Sequence, residues 1–416
     1  MPPVRASGRP RVLVVSPELP HDRVAHAGGR YVGWLVAALQ ERAEVLVAVP
    51  DVPVNRAADG QPGAPRHREV FGRRSERRAA LRPVFRVLAR LDEVRAGRDP
   101  SCLSWVLVAG LLTDRRVRRA LRTADVVDLQ WSQMTRLEPL VRILNRRARV
   151  LGTFHDARTQ AFGRALEEEV DPGRRAGLER AVRSEARVQA RLVRRLDAAV
   201  TFSEKDAVEL AGHEARRVTV IPPPLADGPP GRRRRAEQPT VLFVGHLGRV
   251  ENVEGLEWFL DAVWPLVRRE APTVALRVVG AGAEARLRAR LRTAPSVVAT
   301  GYVDDLAAEY AAAWLVVVPL RRGAGVKFKT VEALVSGVPV VTTPVGAEGV
   351  AEPERFAGVE EEAVAFAAAC VRALLDNGSA ERHAAAQAQW AREAFSIVAF
   401  REQVARLYLG TGQPLA

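Results

Sequence analysis

The segment Pro319–Val341 (PLRRGAGVKFKTVEALVSGVPVV) gathers the residue types that hold a phosphate. An apolar strand should end at Pro319. Gly323 and Gly325 then allow tight, φ-positive backbone with free N–H groups. A helix is expected over Val326–Ser336, stopped by Gly337, with Lys327 and Lys329 in its first turn. Cations at a helix N-terminus oppose the macrodipole by roughly 0.3–1 kcal/mol each. They make sense if an anion sits at that end, which the dipole and the bare amides already favour. Glu332, one turn after Lys329, can accept a pair of vicinal hydroxyls if it faces the same ligand. The lysines carry weight because Lys205, Lys327 and Lys329 are the only ones among 63 basic residues. Lys327 is expected to matter more for the anion than Lys329.

A second glycine-rich helix start, His26-Ala27-Gly28-Gly29-Arg30, follows the first strand. Alone it is as consistent with an ordinary turn as with a ligand site; paired with the first it suits a pyrophosphate held between two helix N-termini. His155 ends an expected strand, Val150–Phe154, and precedes Asp156. A histidine at a strand end is a candidate for catalysis, whereas His21 and His26, in the first loop, are weaker ones. No Asp-x-Asp occurs and no His/Cys spacing fits zinc, so no metal site is read. The charge of a bound diphosphate would then be met by arginine, lysine and helix dipoles, with Arg249 and Lys327 as the candidates.

These residues need a frame. Arg11–Ser16 (RVLVVS) is a continuous apolar run, as in a parallel strand covered on both faces. A helix over Tyr31–Gln40 and a strand over Glu44–Val49 complete a βαβ unit. Val52–Arg68 reads as a mobile loop, Phe71–Gly97 as an arginine-rich helix, and Leu103–Leu112 as a buried helix too short to span a bilayer. Pro222-Pro223-Pro224 and the run DGPPGRRRRAEQP mark a linker. Strand–helix alternation then restarts: Thr240–Val244, a helix over Val253–Arg269, and strands at Val274–Val279, Val297–Thr300, Leu315–Pro319 and Pro339–Thr342. Ser379–Tyr408 reads as mostly helical, with Ser379 as N-cap. The expected organisation is a Rossmann-like lobe over 1–225, a linker over 226–238, a second lobe over 239–385, and a terminal helix over 386–416 returning to the first lobe. Two doubly wound α/β lobes facing a cleft bind ligands at the carboxyl ends of their strands.

Composition narrows the class. Two cysteines, Cys102 and Cys370, give no disulfide framework, and the N-terminus lacks a signal-peptide core. A cytoplasmic protein is expected. Residues 1–237 carry 45 Lys and Arg against 29 Asp and Glu, while residues 238–416 carry 18 against 20. GC-rich coding would load arginine everywhere, so the imbalance points to an anionic target for the first lobe, such as the inner face of a membrane or an acidic partner. Aromatics are 6% and no recognition motif accompanies the charge, so a nucleic-acid partner is not expected.

The chain resembles the retaining GT-B glycosyltransferases of the large family that includes sucrose synthase and bacterial mannosyltransferases (glycosyl transferases group 1). The segments that carry the resemblance are FVGHLGRVENVEGLEWFLDAVWPLV, GYVDDLAAEYAAAWLVVVPL and EALVSGVPVVTT, with AGGRYVGWLVAAL, TFHD and VTFSEKDAVEL in the first lobe. The resemblance implies transfer of a sugar from a nucleotide-diphosphate donor, with retention and without metal or resident cofactor. It places the nucleotide ribose on Glu332, the diphosphate at Gly28 and Gly29, and His155 near the donor sugar. The family often carries two glutamates eight residues apart; here Ala324 stands at the first place. The arginine and lysine usual after the first strand of the second lobe are also missing; His246 and Glu251 stand near those places. Arg249, Lys327 or Lys329 could supply the charge. An epimerase or hydrolase on the same fold, or a non-catalytic partner subunit, is the alternative.

Overall fold

A computed structural model of the chain describes residues 8–22, 24, 26–72, 80–98, 102–156, 158–211, 218–226 and 233–410. The chain forms two compact units. One comprises Met1–Pro223 with Phe400–Ala416, the other Pro224–Ala399.

The first unit is built on a seven-stranded, all-parallel sheet: β1 (Arg11–Val15), β2 (Glu44–Pro50), β3 (Arg68–Phe71), β4 (Val126–Gln130), β5 (Arg149–Thr153), β6 (Ala198–Thr201) and β7 (Val218–Val220). Its order is β3-β2-β1-β4-β5-β6-β7. Register places Val12 beside Val126 and Val127 beside Val150. The chain winds one way from β1 to β3 and the other from β4 to β7, so the switch point lies between β1 and β4. Helix α1 (Ala27–Gln40) leaves β1 there, and the short α2 (Trp131–Thr135) leaves β4. The long α3 (Pro172–Arg195) covers a face through Leu192 and Val193. Central strands are apolar on both faces because helices cover both.

The second unit repeats the plan with six parallel strands: β8 (Thr240–Val244), β9 (Ala275–Val279), β10 (Val297–Gly301), β11 (Leu315–Val318), β12 (Val340–Thr342) and β13 (Gly358–Val359). The order β10-β9-β8-β11-β12-β13 puts the switch between β8 and β11. From there spring α4 (Val250–Trp258) and α5 (Phe328–Val335). Phe243, Phe259, Trp264 and Phe366 form the centre of its core. The last helix, α6 (Ile397–Leu409), belongs to the first unit from Phe400 on. Its Leu407 and Tyr408 carbonyls accept bonds from Arg149 at 3.0 and 3.3 Å.

Several local expectations are corrected. The loop expected over Val52–Arg68 contains a helix, Pro53–Ala58, with Pro53 in its first turn. Its Asn55 is fully buried: Oδ1 accepts from the Leu19 N–H at 2.8 Å, and Nδ2 donates to the Pro17 and Pro50 carbonyls. The helix expected over Val253–Arg269 is broken by a π-turn at Phe259–Val263. Pro265 lies just beyond; it has no N–H to donate and its ring clashes with a carbonyl four residues back. The helix expected at Leu103–Leu112 forms as Trp105–Thr113, but only Gly110 and Leu111 are buried and Trp105 is exposed. The cap near Ser379 is Asp376, whose carboxylate accepts from the Ser379 N–H at 3.4 Å. Strand β3 and helix Ala363–Leu375 had no counterpart in the sequence reading. Among the described residues no helix is long and apolar enough to cross a membrane.

Candidate active site

The candidate residues fall into two groups, one at the switch point of each unit. In the second unit β8 runs into the turn Gly245–Arg249, which lies against the Gly280–Gly282 turn after β9. The Leu247 N–H donates to the Ala281 carbonyl at 2.7 Å. A Cβ on Gly280, at φ +151°, would fall 1.8 Å from the Gly245 carbonyl oxygen, so only glycine fits. After β11, Gly323 and Gly325 take φ values of +126° and +69°. That turn leads to α5, which starts at Phe328, two residues later than the sequence implied. Lys327 is therefore its N-cap, in extended backbone. Its ammonium is buried, donates to the Gly325 carbonyl at 2.6 Å and lies 3.8 Å from the Glu348 carboxylate.

Lys329 reaches the other way. Its Nζ donates to Asn252 Oδ1 at 2.5 Å and lies 5.6 Å from the centroid of the Phe243 ring. Asn252 donates in turn to the His246 carbonyl at 2.9 Å, which turns its oxygen toward the lysine. A Cβ on Gly245 would come within 3.2 Å of this ammonium. Lys329 thus carries positive charge from the start of α5 to the carboxyl end of β8, across the switch point. Loss of hydration, then the nearby Arg249 and Lys327 cations, push its pKa down to about 7, against the pull of Glu251 and Glu332. Arg249 is the N-cap of α4; its guanidinium is exposed and 3.6 Å from Glu251. Glu332 is half-buried, with Oε2 3.4 Å from the Tyr310 hydroxyl, which also donates to the Lys329 carbonyl at 3.2 Å. Two cations beside two helix N-termini suit a multivalent anion, and the carboxylate one turn on suits neutral hydroxyls.

In the first unit His26 caps α1. Its Nδ1 accepts from the Gly29 N–H at 3.1 Å, and its Nε2 pairs with the Glu18 carboxylate, which lowers the Glu18 pKa. The first-turn amides of α1, including Gly28, have no intrahelical acceptor. Gly28 is a point of close approach: a Cβ there would sit 2.4 Å from Trp131 Cζ2 and 2.8 Å from His155 Nδ1. The His155 ring is stacked on Trp131, with centroids 3.6 Å apart and planes 8° from parallel. Phe202 and Tyr31 meet it edge-on at 4.9 and 5.8 Å.

Hydrogen bonds fix the His155 tautomer. Its Nε2 is 2.8 Å from Gln130 Oε1. The Gln130 amide nitrogen donates to Asp128 at 2.5 Å and to Thr153 Oγ1 at 3.1 Å. Oε1 must therefore accept, His155 is protonated on Nε2, and Nδ1 keeps a bare lone pair. Nδ1 is buried and has no hydrogen-bond partner among the described residues. Burial, then the charge of His26, holds the His155 pKa well below the ordinary imidazole range, so the ring is neutral near pH 7. Trp131 reaches this stack with φ +63°, a left-handed backbone that costs on the order of 1–3 kcal/mol in a non-glycine residue.

The structure thus joins Gly28 to His155, links Gly29 to His26, and gathers Arg249, Lys329 and Glu332 near one another. It closes Gly323, Gly325 and Lys327 into a tight loop. Sequence reasoning missed Asp128, Gln130, Trp131 and Asn252. A signal existed for two of them: in β4 (VVDLQ) Asp128 and Gln130 interrupt an apolar run, and a polar side chain in a doubly covered strand must find a partner. Among the described residues no three His, Cys, Asp or Glu side chains are grouped to hold a metal.

Residues 238–376, most of the second unit, match the family described as Glycosyl transferases group 1. The matched segment is about a third of the chain. That segment is similar to the group 1 glycosyltransferases, and the first unit lies outside the match. An uncharacterized 44.6 kDa protein in the cps region of Klebsiella pneumoniae is 33% identical over 117 residues, covering 26% of this chain and 30% of that relative. Two solved structures share the whole fold. Sucrose-phosphate synthase from Thermosynechococcus elongatus aligns with a TM-score of 0.66 at 18% identity, over 97% of this chain and 99% of that one. HepE from Anabaena, in complex with UDP and glucose, aligns at 0.61 and 16% identity, over 97% and 100%.

Proposed function

We propose that the chain is a hexosyltransferase that moves a sugar from a nucleotide-diphosphate donor to an acceptor, with retention of configuration and without metal. The observation that carries this reading is the Lys329 ammonium at the switch point of the second unit, beside Arg249 and ahead of Glu332. The second unit takes the nucleotide. Glu332 receives the ribose hydroxyls. Arg249, Lys329 and the N-termini of α4 and α5 neutralise the diphosphate as it leaves. Lys327 holds the Gly323–Gly325 loop closed so that its amides keep their direction. The first unit offers the Gly28 amide to a phosphate, the Gly29 N–H being taken by His26 Nδ1, and the His155 Nδ1 lone pair to a donor-sugar hydroxyl.

HepE has been solved with UDP-glucose, so that donor is the first to test. The charge excess before residue 238 supports an anionic or membrane-borne acceptor and a peripheral place on the inner face of a membrane. Calorimetry with UDP, GDP and ADP sugars tests donor binding; a chain that binds none of them is a partner subunit rather than a transferase. Product analysis with donor alone tests the reaction: free sugar or an epimer identifies a hydrolase or epimerase. A donor that stays intact until acceptor is added supports transfer.

A further inference from the structure

Among the described residues, a third of the exposed large apolar side chains lie within one short stretch of the first unit. Val84, Val87, Leu91 and Val94 on the helix Arg82–Arg98 are 49, 58, 41 and 56% exposed. Their spacing of three, four and three residues places them in one row along the helix. Trp105, 45% exposed, borders the row through Arg95, whose guanidinium lies 4.4 Å from the centroid of its ring. Arg90, exposed, flanks the other side, and the exposed Arg86 lies farther round, about 120° from the centre of the row. Among the described residues no carboxylate lies within the row itself. Asp92 turns inward, accepting from the Ser104 hydroxyl and from the Trp105 and Val106 amides. Glu93 lies about 140° round from the centre of the row at 100° per residue, nearly in line with Arg86.

Behind the row, the buried Phe85 walls a cavity of about 280 Å³ at the carboxyl ends of β2 and β3. Phe71, Leu103, Leu107 and Met134 make it largely apolar. An aliphatic row edged by tryptophan and arginine is the composition of a helix that lies in a membrane interface. The apolar cavity beneath it fits lipid better than it fits an acidic protein.

We propose that this face of the first unit docks on an anionic lipid bilayer, with the Val84–Val94 row and Trp105 among the acyl boundary and Arg86 and Arg90 at the headgroups. The inference deepens the reading of a membrane-borne acceptor and rests on it for its purpose. The residues Arg73, Arg74, Arg77 and Arg78, which the sequence also marks as basic, lie outside the described residues.

Co-sedimentation of the full chain tests it, with vesicles of phosphatidylcholine alone and of equal parts phosphatidylcholine and phosphatidylglycerol. The wild type should bind the anionic vesicles and lose affinity as salt rises. Arg86→Gln with Arg90→Gln should weaken binding about fivefold per arginine at low salt and less at high salt. Val87→Asp with Leu91→Asp should weaken it at least tenfold at either salt. Both pairs are exposed, so unchanged melting temperatures should accompany these losses. A wild type that stays in solution with anionic vesicles overturns the proposal, as does a Val87→Asp/Leu91→Asp chain that binds like wild type. Nucleotide-sugar binding by the same samples separates the two readings: vesicle binding without nucleotide binding contradicts the transferase and leaves the docking face. Nucleotide binding without vesicle binding does the reverse.

Discussion

The Lys329 ammonium sits between Asn252 and the Phe243 ring, with its pKa pushed down to about 7. A bound diphosphate favours the charged form, so binding draws a proton onto Lys329 wherever the free amine is neutral. Affinity for a nucleotide sugar should therefore be greatest below pH 7 and fall as pH rises through 7 and above, approaching tenfold per unit. Lys329→Arg, which stays charged, should flatten this profile; a wild type whose affinity is constant from pH 6 to 9 would contradict the assignment. His155 has a different signature. In the proposed reaction its neutral ring offers an acceptor to the sugar, so His155→Ala should lower kcat more than donor affinity. Equal losses in both, or none, would return His155 to a packing role. The residue types were legible in the sequence; their directions were not. Lys327 and Lys329 lie two positions apart, yet one folds back onto Gly325 and the other crosses to β8. The α5 start at Phe328 decides that, and glycine turns with φ of +126° and +69° set where the helix begins.

At the scale of elements, the site depends on strand ends and helix starts meeting without intervening side chains. Gly28 lets α1 approach the Trp131–His155 stack. Gly28→Ala would drive a methyl into Trp131 Cζ2 and His155 Nδ1 and should cut turnover at least tenfold with little change in melting temperature. A fully active Gly28→Ala enzyme would show that the stack is not part of catalysis. Asp128 anchors the same assembly from inside β4, and burial raises its pKa to about 7 against the bonds from Gln130 and Thr153. Its unfolded pKa is near 3.9, so the folded state holds the extra proton between about 4 and 7 and loses that stabilisation as pH rises through 7. Stability should decline over that interval by on the order of a few kcal/mol from this group, and Asp128→Asn should remove the decline. Chemical denaturation at pH 5 and 8 compares the two. The strands were readable because both sheets are parallel and doubly covered, which leaves runs such as RVLVV and TVLFV. The π-turn before Pro265 and the Pro53–Ala58 helix were not. The first comes from a backbone clash that hydrophobic periodicity does not register. The second is held by Asn55, a side chain whose partners Leu19, Pro17 and Pro50 are close only after folding.

At the scale of the whole molecule, one chain carries two doubly wound sheets with the same switch-point logic and opposite electrostatics. The second unit holds the group 1 glycosyltransferase match and a local cationic pocket on an otherwise balanced surface. The first carries the arginine excess, the neutral histidine and the exposed apolar row. Such a division suits an enzyme whose donor is a soluble anion and whose acceptor is presented on a charged surface. Titration calorimetry of UDP-glucose, and of the GDP and ADP sugars, into wild type, Lys329→Ala and Glu332→Gln bears most directly on this account. One donor should bind the wild type. Loss of a charge-assisted hydrogen bond at Lys329 should weaken it by about ten- to a hundredfold, or roughly 1.5–3 kcal/mol. Glu332→Gln should also weaken binding while leaving the fold intact. Equal affinity in all three proteins, or no heat with any nucleotide sugar, would contradict the claim that the second unit is a nucleotide-diphosphate site.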